Sequence, residues 1–121
     1  MSAIKSLGKK KVRGALALLL KMLDSKDFQT KQLGEKKEII EAIGSTGGES
    51  VVPKLRKLLQ VNWSLFKDVK AEETACCAAE ALQKIATPSA SAALREGSRS
   101  KNKTVREACD KALEALKTLR A

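Results

Sequence analysis

The sequence predicts an all-α protein built from three helical hairpins stacked side by side. Three observations carry that prediction. The apolar residues are of the helix-forming kind: of 52, 17 are Ala and 16 are Leu, while Val and Ile together add 11 and there are two Phe, one Trp and no Tyr. Helices favour Ala and Leu, whereas sheets draw on the β-branched and aromatic side chains that are scarce here. The chain also repeats. The string AIGSTGGESVVPKL, from Ala42 to Leu55, aligns without gaps on ALQKIATPSASAAL, from Ala81 to Leu94, 39 residues later. Finally, EKKEIIEAI (35–43), TACCAAEAL (74–82) and VREACDKAL (105–113) all end in a small residue followed by a large aliphatic one. The small residue lets two helices approach closely and the large one fills the layer between repeats.

Six helices follow, at about 11–23, 30–45, 49–60, 71–86, 89–97 and 103–119. In the first, Val12, Leu16, Leu19, Leu20 and Leu23 fall on one helical face. Leu18 and Met22 lie off that face, an apolar flank that a preceding repeat or a second copy would cover. Asp24 to Asp27 and Ser98 to Lys103 read as polar turns within repeats. Gly47-Gly48 and Thr87-Pro88 punctuate the turns between repeats. Ser50 or Gly48, and Ser89, are the candidate N-caps. Pro53 falls in the first turns of its helix, where a missing N–H matters least. The short connections force antiparallel neighbours. The arrangement is a basic arm over 1–10 and a repeat domain over 11–121, with repeats at about 11–46, 47–86 and 87–119.

These features resemble the HEAT repeat family, in its phycobilisome-lyase-like form. The resemblance rests on VREACDKAL, on the two aligned 14-residue units and on the near-40-residue period, and it covers roughly 11–119. It implies a right-handed α-α superhelix whose concave surface is lined by the second helix of each repeat. The first repeat departs from the pattern, with Glu35 and Glu38 in slots filled elsewhere by Thr74 or Val105 and by Cys77 or Ala108. The function implied is a non-catalytic scaffold for protein partners; the apolar flank at Leu18 and Met22, against the polar Lys117 and Arg120 at the other end, further suggests the C-terminal module of a longer array. Bilin lyases and alkylpurine DNA glycosylases also occur among HEAT-like proteins.

Composition narrows the chemistry. The chain contains no His, which removes Ser-His-Asp and Cys-His catalysis and His metal ligands. Cys76, Cys77 and Cys109 are odd in number and lack CxxC spacing, so neither a disulfide framework nor a metal site is expected, and no cofactor. Reduced thiols fit the cytoplasm. Lys9, Lys10, Lys11 and Arg13 precede an apolar run that Lys21 interrupts, so this is neither a signal peptide nor a membrane span. Cys77 and Cys109 fall on buried faces. Cys76 points to the concave rows, where Lys37, one repeat over, is placed to lower its pKa.

The net charge is +10, from 24 Lys and Arg against 14 Asp and Glu. Residues 1–23 hold six cations and no anion, and 95–106 carry a net +4. A sequence-independent nucleic-acid reading would therefore use Lys9, Lys10, Lys11, Arg13, Arg99, Lys101, Lys103 and Arg106, with the turn cations aligned as a ridge. Eighteen Lys against six Arg suit charge attraction better than bidentate recognition. The concave face reads as acidic instead. Helical phase gives it Lys37, Ile40, Glu41, Cys76, Ala79, Glu80, Gln83, Glu107, Asp110, Lys111 and Glu114, with Ile40 and Ala79 as its apolar centre. That surface suits a neutral or basic protein partner. Trp63 and Phe66, in the apolar connection 61–69, either plug the edge of the core or form a hot spot for a partner.

Overall fold

The computed structural model describes residues 12–25, 27–60 and 69–120. Among these residues every regular element is helical. Six α-helices follow in order: α1 Val12–Asp24, α2 Leu33–Gly47, α3 Val52–Leu59, α4 Val69–Ile85, α5 Pro88–Gly97 and α6 Lys103–Arg120. They pair as hairpins, α1 on α2, α3 on α4 and α5 on α6. Across the hairpins α2 packs on α4, α4 packs on α6 and α3 packs on α5. The second helices thus form a contiguous layer with α4 in the middle. The six expected helices are all present, displaced by one to three residues at most ends.

Local chemistry explains each boundary. The α1–α2 turn is tied by Thr30 Oγ1, which donates to the Asp27 carbonyl at 2.7 Å, and by a 3-10 turn at Phe28–Thr30. Phe28 is fully buried there and anchors the turn to the core. α2 ends at Gly47, and Gly48 takes a φ of 53°, a positive-φ backbone that glycine adopts without steric cost. A Cβ on Gly47 would lie 2.3 Å from Val51 Cγ1, so the tight turn into α3 needs both glycines for different reasons. Pro53 sits in the first turn of α3, as its position in the repeat requires.

The N-caps differ from expectation. No side chain caps α3, whose first turn continues a 3-10 segment at Gly48–Val51. At α5 the cap is Thr87 and not Ser89: Thr87 Oγ1 accepts from the Ala90 N–H at 3.2 Å, and Pro88 then opens the helix. The prolyl ring disfavours helical backbone at the residue before it, which leaves Thr87 extended, as a cap must be. At α6 Asn102 Oδ1 accepts from the Val105 N–H at 3.1 Å, while its amide donates to Glu72 Oε2 on α4 at 2.7 Å. One asparagine therefore caps its own helix and moors it to the neighbour.

The core runs through all three hairpins. Ile39, Ile43, Leu55, Leu82, Leu94 and Val105 are fully buried along it, with Leu19 and Leu23 closing the α1 end. Alanines thin the layer where helices meet: Ala75, Ala78 and Ala81 on α4 are all buried. Cys77 and Cys109 are buried as expected. In α1, Met22 packs against the core, whereas Leu18 is 53% exposed. No helix among the described residues is long and apolar enough to cross a membrane.

A candidate binding groove across three helices

The layer α2–α4–α6 leaves a groove of about 330 Å³ on its open side. Six of the residues read from the repeat as concave line it: Lys37 and Glu41 from α2, Cys76, Glu80 and Gln83 from α4, and Lys111 from α6. Lys84 and the small residues Ala108, Ala112 and Ala115 complete the lining. The alanines recur at i, i+4 and i+7, one stripe along α6. Lys84 was not foreseen, although it lies one residue beyond Gln83 on the same exposed side of α4.

Ile40 and Ala79 correct the sequence reading. Both are buried, at 0% and 1% exposure, so the groove has no apolar centre at those positions. Their row continues to Asp110, which is exposed. This pattern fits a row that points toward the next hairpin and not into the groove. Such a row is covered on α2 and α4, and open on α6, whose main packing partners are α4 and α5. Glu107 and Glu114 are exposed on α6, but like Asp110 they lie outside the groove lining. The three acids that made the face read as net negative are therefore not part of it.

Electrostatics within the groove are arranged by pairs. Lys37 Nζ lies 3.5 Å from Glu80 Oε2, and Lys84 Nζ lies 2.6 Å from Glu41 Oε1. Both pairs cross from α2 to α4. Each involves at least one well-exposed side chain, so each contributes little stability alone. A third crossing pair lies deeper. Lys36 is fully buried, with its ammonium 3.3 Å from Glu73 Oε1 and donating to the Lys70 carbonyl at 3.1 Å. A buried cation must be paired and hydrogen-bonded, and these two contacts meet that need. The sequence signal for Lys36 was its repeat slot, shared with the buried Ala75.

Cys76 is half-buried on the groove wall. Burial raises its thiol pKa, and the carboxylates of Glu72, Glu80 and Glu73 raise it further. This reverses the expectation that Lys37 would activate it: the ammonium is paired with Glu80, and the acids on α4 outweigh it. Burial likewise holds Cys77 at about 11 and Cys109 at about 12. Among the described residues no group of three His, Cys, Asp or Glu side chains is placed to hold a metal ion.

The expected basic ridge is interrupted. Arg99, Lys101 and Lys103 are exposed. Arg106, however, is half-buried and donates through Nη1 to the Ser100 carbonyl at 2.9 Å. Glu35 lies 3.9 Å from Lys31 and Glu107 lies 3.9 Å from Lys103, so acids alternate with the cations. Lys9, Lys10, Lys11, Trp63 and Phe66 fall outside the described residues, as does the arm over 1–10. Arg13 lies on α1.

No known family's model matches this chain, and no curated protein or solved structure matches it.

Proposed function

We propose that the chain is a non-catalytic scaffold of HEAT-like type, its three hairpins forming a right-handed α-α superhelix that holds a protein partner in the α2–α4–α6 groove. The observation that carries this reading is the groove itself, which draws its lining from all three second helices. A surface shared by stacked repeats is how solenoids build extended binding faces. Catalysis finds no support in the groove: its one thiol, Cys76, is held protonated, and the chain has no His to activate it. Three cysteines, all free, suit a reducing compartment such as the cytoplasm.

Photo-crosslinking tests the reading. A benzophenone amino acid placed at Gln83 or Ala115 is expected to capture the same discrete partner from the source cell, because both positions line the groove. The same probe at Lys117, exposed on α6 outside the groove lining, is expected not to. Equal capture from all three positions, or none from the groove, overturns the proposal.

A further inference from the structure

The charges lining the groove are unequally matched, and that inequality identifies the chemistry of what enters it. Three lysines and two glutamates face the space. Glu80 is held by Lys37 and Glu41 by Lys84, so each acid is already countered from the opposite helix. Lys111 is left over: among the described residues no carboxylate lies within ion-pair distance of it. The acids nearest in sequence on α6 are engaged elsewhere or face away. Glu107 lies near Lys103, Glu114 lies near Lys117, and Asp110 is on the row outside the groove. Beside Lys111 the wall is the stripe Ala108, Ala112 and Ala115, which offers contact area but no hydrogen bond. Gln83 adds an amide that both donates and accepts.

We infer that the groove takes a segment of a partner protein that presents a carboxylate to Lys111 and a short apolar side chain to the alanine stripe. This rests on the scaffold reading and adds the partner's chemistry to it. It also reverses the expectation of a neutral or basic partner, because the acids that suggested one lie outside the groove or are countered within it. The volume fits the insertion of one or two side chains and not a whole helix. A free ammonium beside a half-enclosed apolar wall is weakly compensated by the protein, so an incoming carboxylate gains attraction without displacing an existing partner. A basic side chain would meet the opposite situation. To pair, it would have to share Glu80 or Glu41 with the lysine already beside it.

The test is selection of a random 12-residue peptide library on the full 121-residue chain, followed by fluorescence anisotropy of the enriched consensus. The expected consensus contains Asp or Glu next to Ala, Val or Leu. Lys111→Ala is expected to weaken its binding about fivefold, and Lys111→Glu to favour peptides with Lys or Arg instead. Lys117→Ala, outside the groove, is the control and is expected to leave affinity unchanged. Because Lys111 is exposed, these variants fold, which circular dichroism verifies. A consensus without an acid, bound with affinity that Ala115→Gln, at a half-buried lining position, abolishes and Lys111→Ala leaves intact, overturns the carboxylate and leaves the groove standing. Peptides insensitive to both substitutions remove the groove as well. Binding of a 20-nucleotide duplex that Lys111→Ala weakens, with no peptide enriched, overturns the inference in favour of phosphate.

Discussion

The two seams that hold the second helices together are built on different physics. Between α2 and α4 three ion pairs cross, Lys36–Glu73, Lys37–Glu80 and Lys84–Glu41, and Gly44 lies against Ala81 with room for a Cβ at 3.4 Å. Between α4 and α6 no ion pair crosses among the described residues. Small side chains face the gap, and Asn102 ties to Glu72 at the end of the seam. The first seam is specified by charge and tolerates added volume. In the third hairpin, where α5 meets α6, close packing sets the contact: a Cβ on Gly97 would lie 2.3 Å from Cys109 Sγ and 3.3 Å from Leu59 Cδ1. The groove spans both seams: its paired charges lie on α2 and α4, and Lys111, the lining lysine without an ion pair among the described residues, lies on α6.

Substitutions can break this contrast. The largest effect is expected from Lys36→Ala, which leaves a cavity and removes both buried contacts; it should cost about 2–4 kcal/mol in urea denaturation. Lys36→Met keeps the volume and should recover at least half of that loss, because Glu73 is partly exposed and water can solvate it. If Met and Ala are equally damaging, the ammonium's pairing and not its volume holds the seam.

The same substitution at two glycines sharpens the comparison. Gly97→Ala forces a shift against a sulfur one bond from its own Cβ, and about 1–3 kcal/mol of stability should be lost. Gly44→Ala meets only an ordinary contact and gains helix propensity, so it should stabilise by up to about 1 kcal/mol. Opposite signs in the denaturation midpoint are the expected result. Equal signs would mean that the two contacts are alike.

The smallest effects belong to the exposed pairs and the thiol. Glu80→Gln should change stability by less than about 0.5 kcal/mol, since both partners are half-exposed. It should nevertheless speed alkylation of Cys76 by iodoacetamide, because one of the carboxylates that raise its pKa is gone. In the unsubstituted protein the thiolate is disfavoured, so the reaction at pH 8 should be slower than for a free cysteine and should keep accelerating as pH climbs past the ordinary thiol value of about 8.5. A rate at pH 8 equal to that of an unfolded chain would remove the electrostatic account.

Much of the fold was legible because the repeat states it twice. The pairing of Ala42 with Ala81, and of Leu55 with Leu94, placed four helices and their turns, and composition supplied the rest. Caps were less legible, because Thr87 and Ser89 both flank Pro88 in sequence and the backbone restriction before proline decides between them. Helical phase found six of the groove residues but misplaced Ile40 and Ala79. A single helix viewed alone has one buried face; α2 and α4 each meet both a hairpin mate and a neighbouring second helix, so their buried arc is wider than a phase argument assumes. The hint was present in the row itself, apolar at Ile40 and Ala79 and charged at Asp110. Lys36 was missed for the opposite reason, although its repeat slot, shared with Ala75, pointed inward. A lysine is assigned to solvent by default, and its burial depends on a carbonyl and a carboxylate 34 and 37 residues away.

Asp110 has one more consequence. In a protein made of interchangeable units, each end invites another copy to add on, and such open-ended growth leads to filaments. A molecule stacking on the outer side of α6 would have to strip water from that carboxylate at a position where the sister slots hold Ile40 and Ala79. Asp110→Ala would lower the cost of covering that side of α6, and sedimentation of the variant at rising concentration would register any self-association that follows.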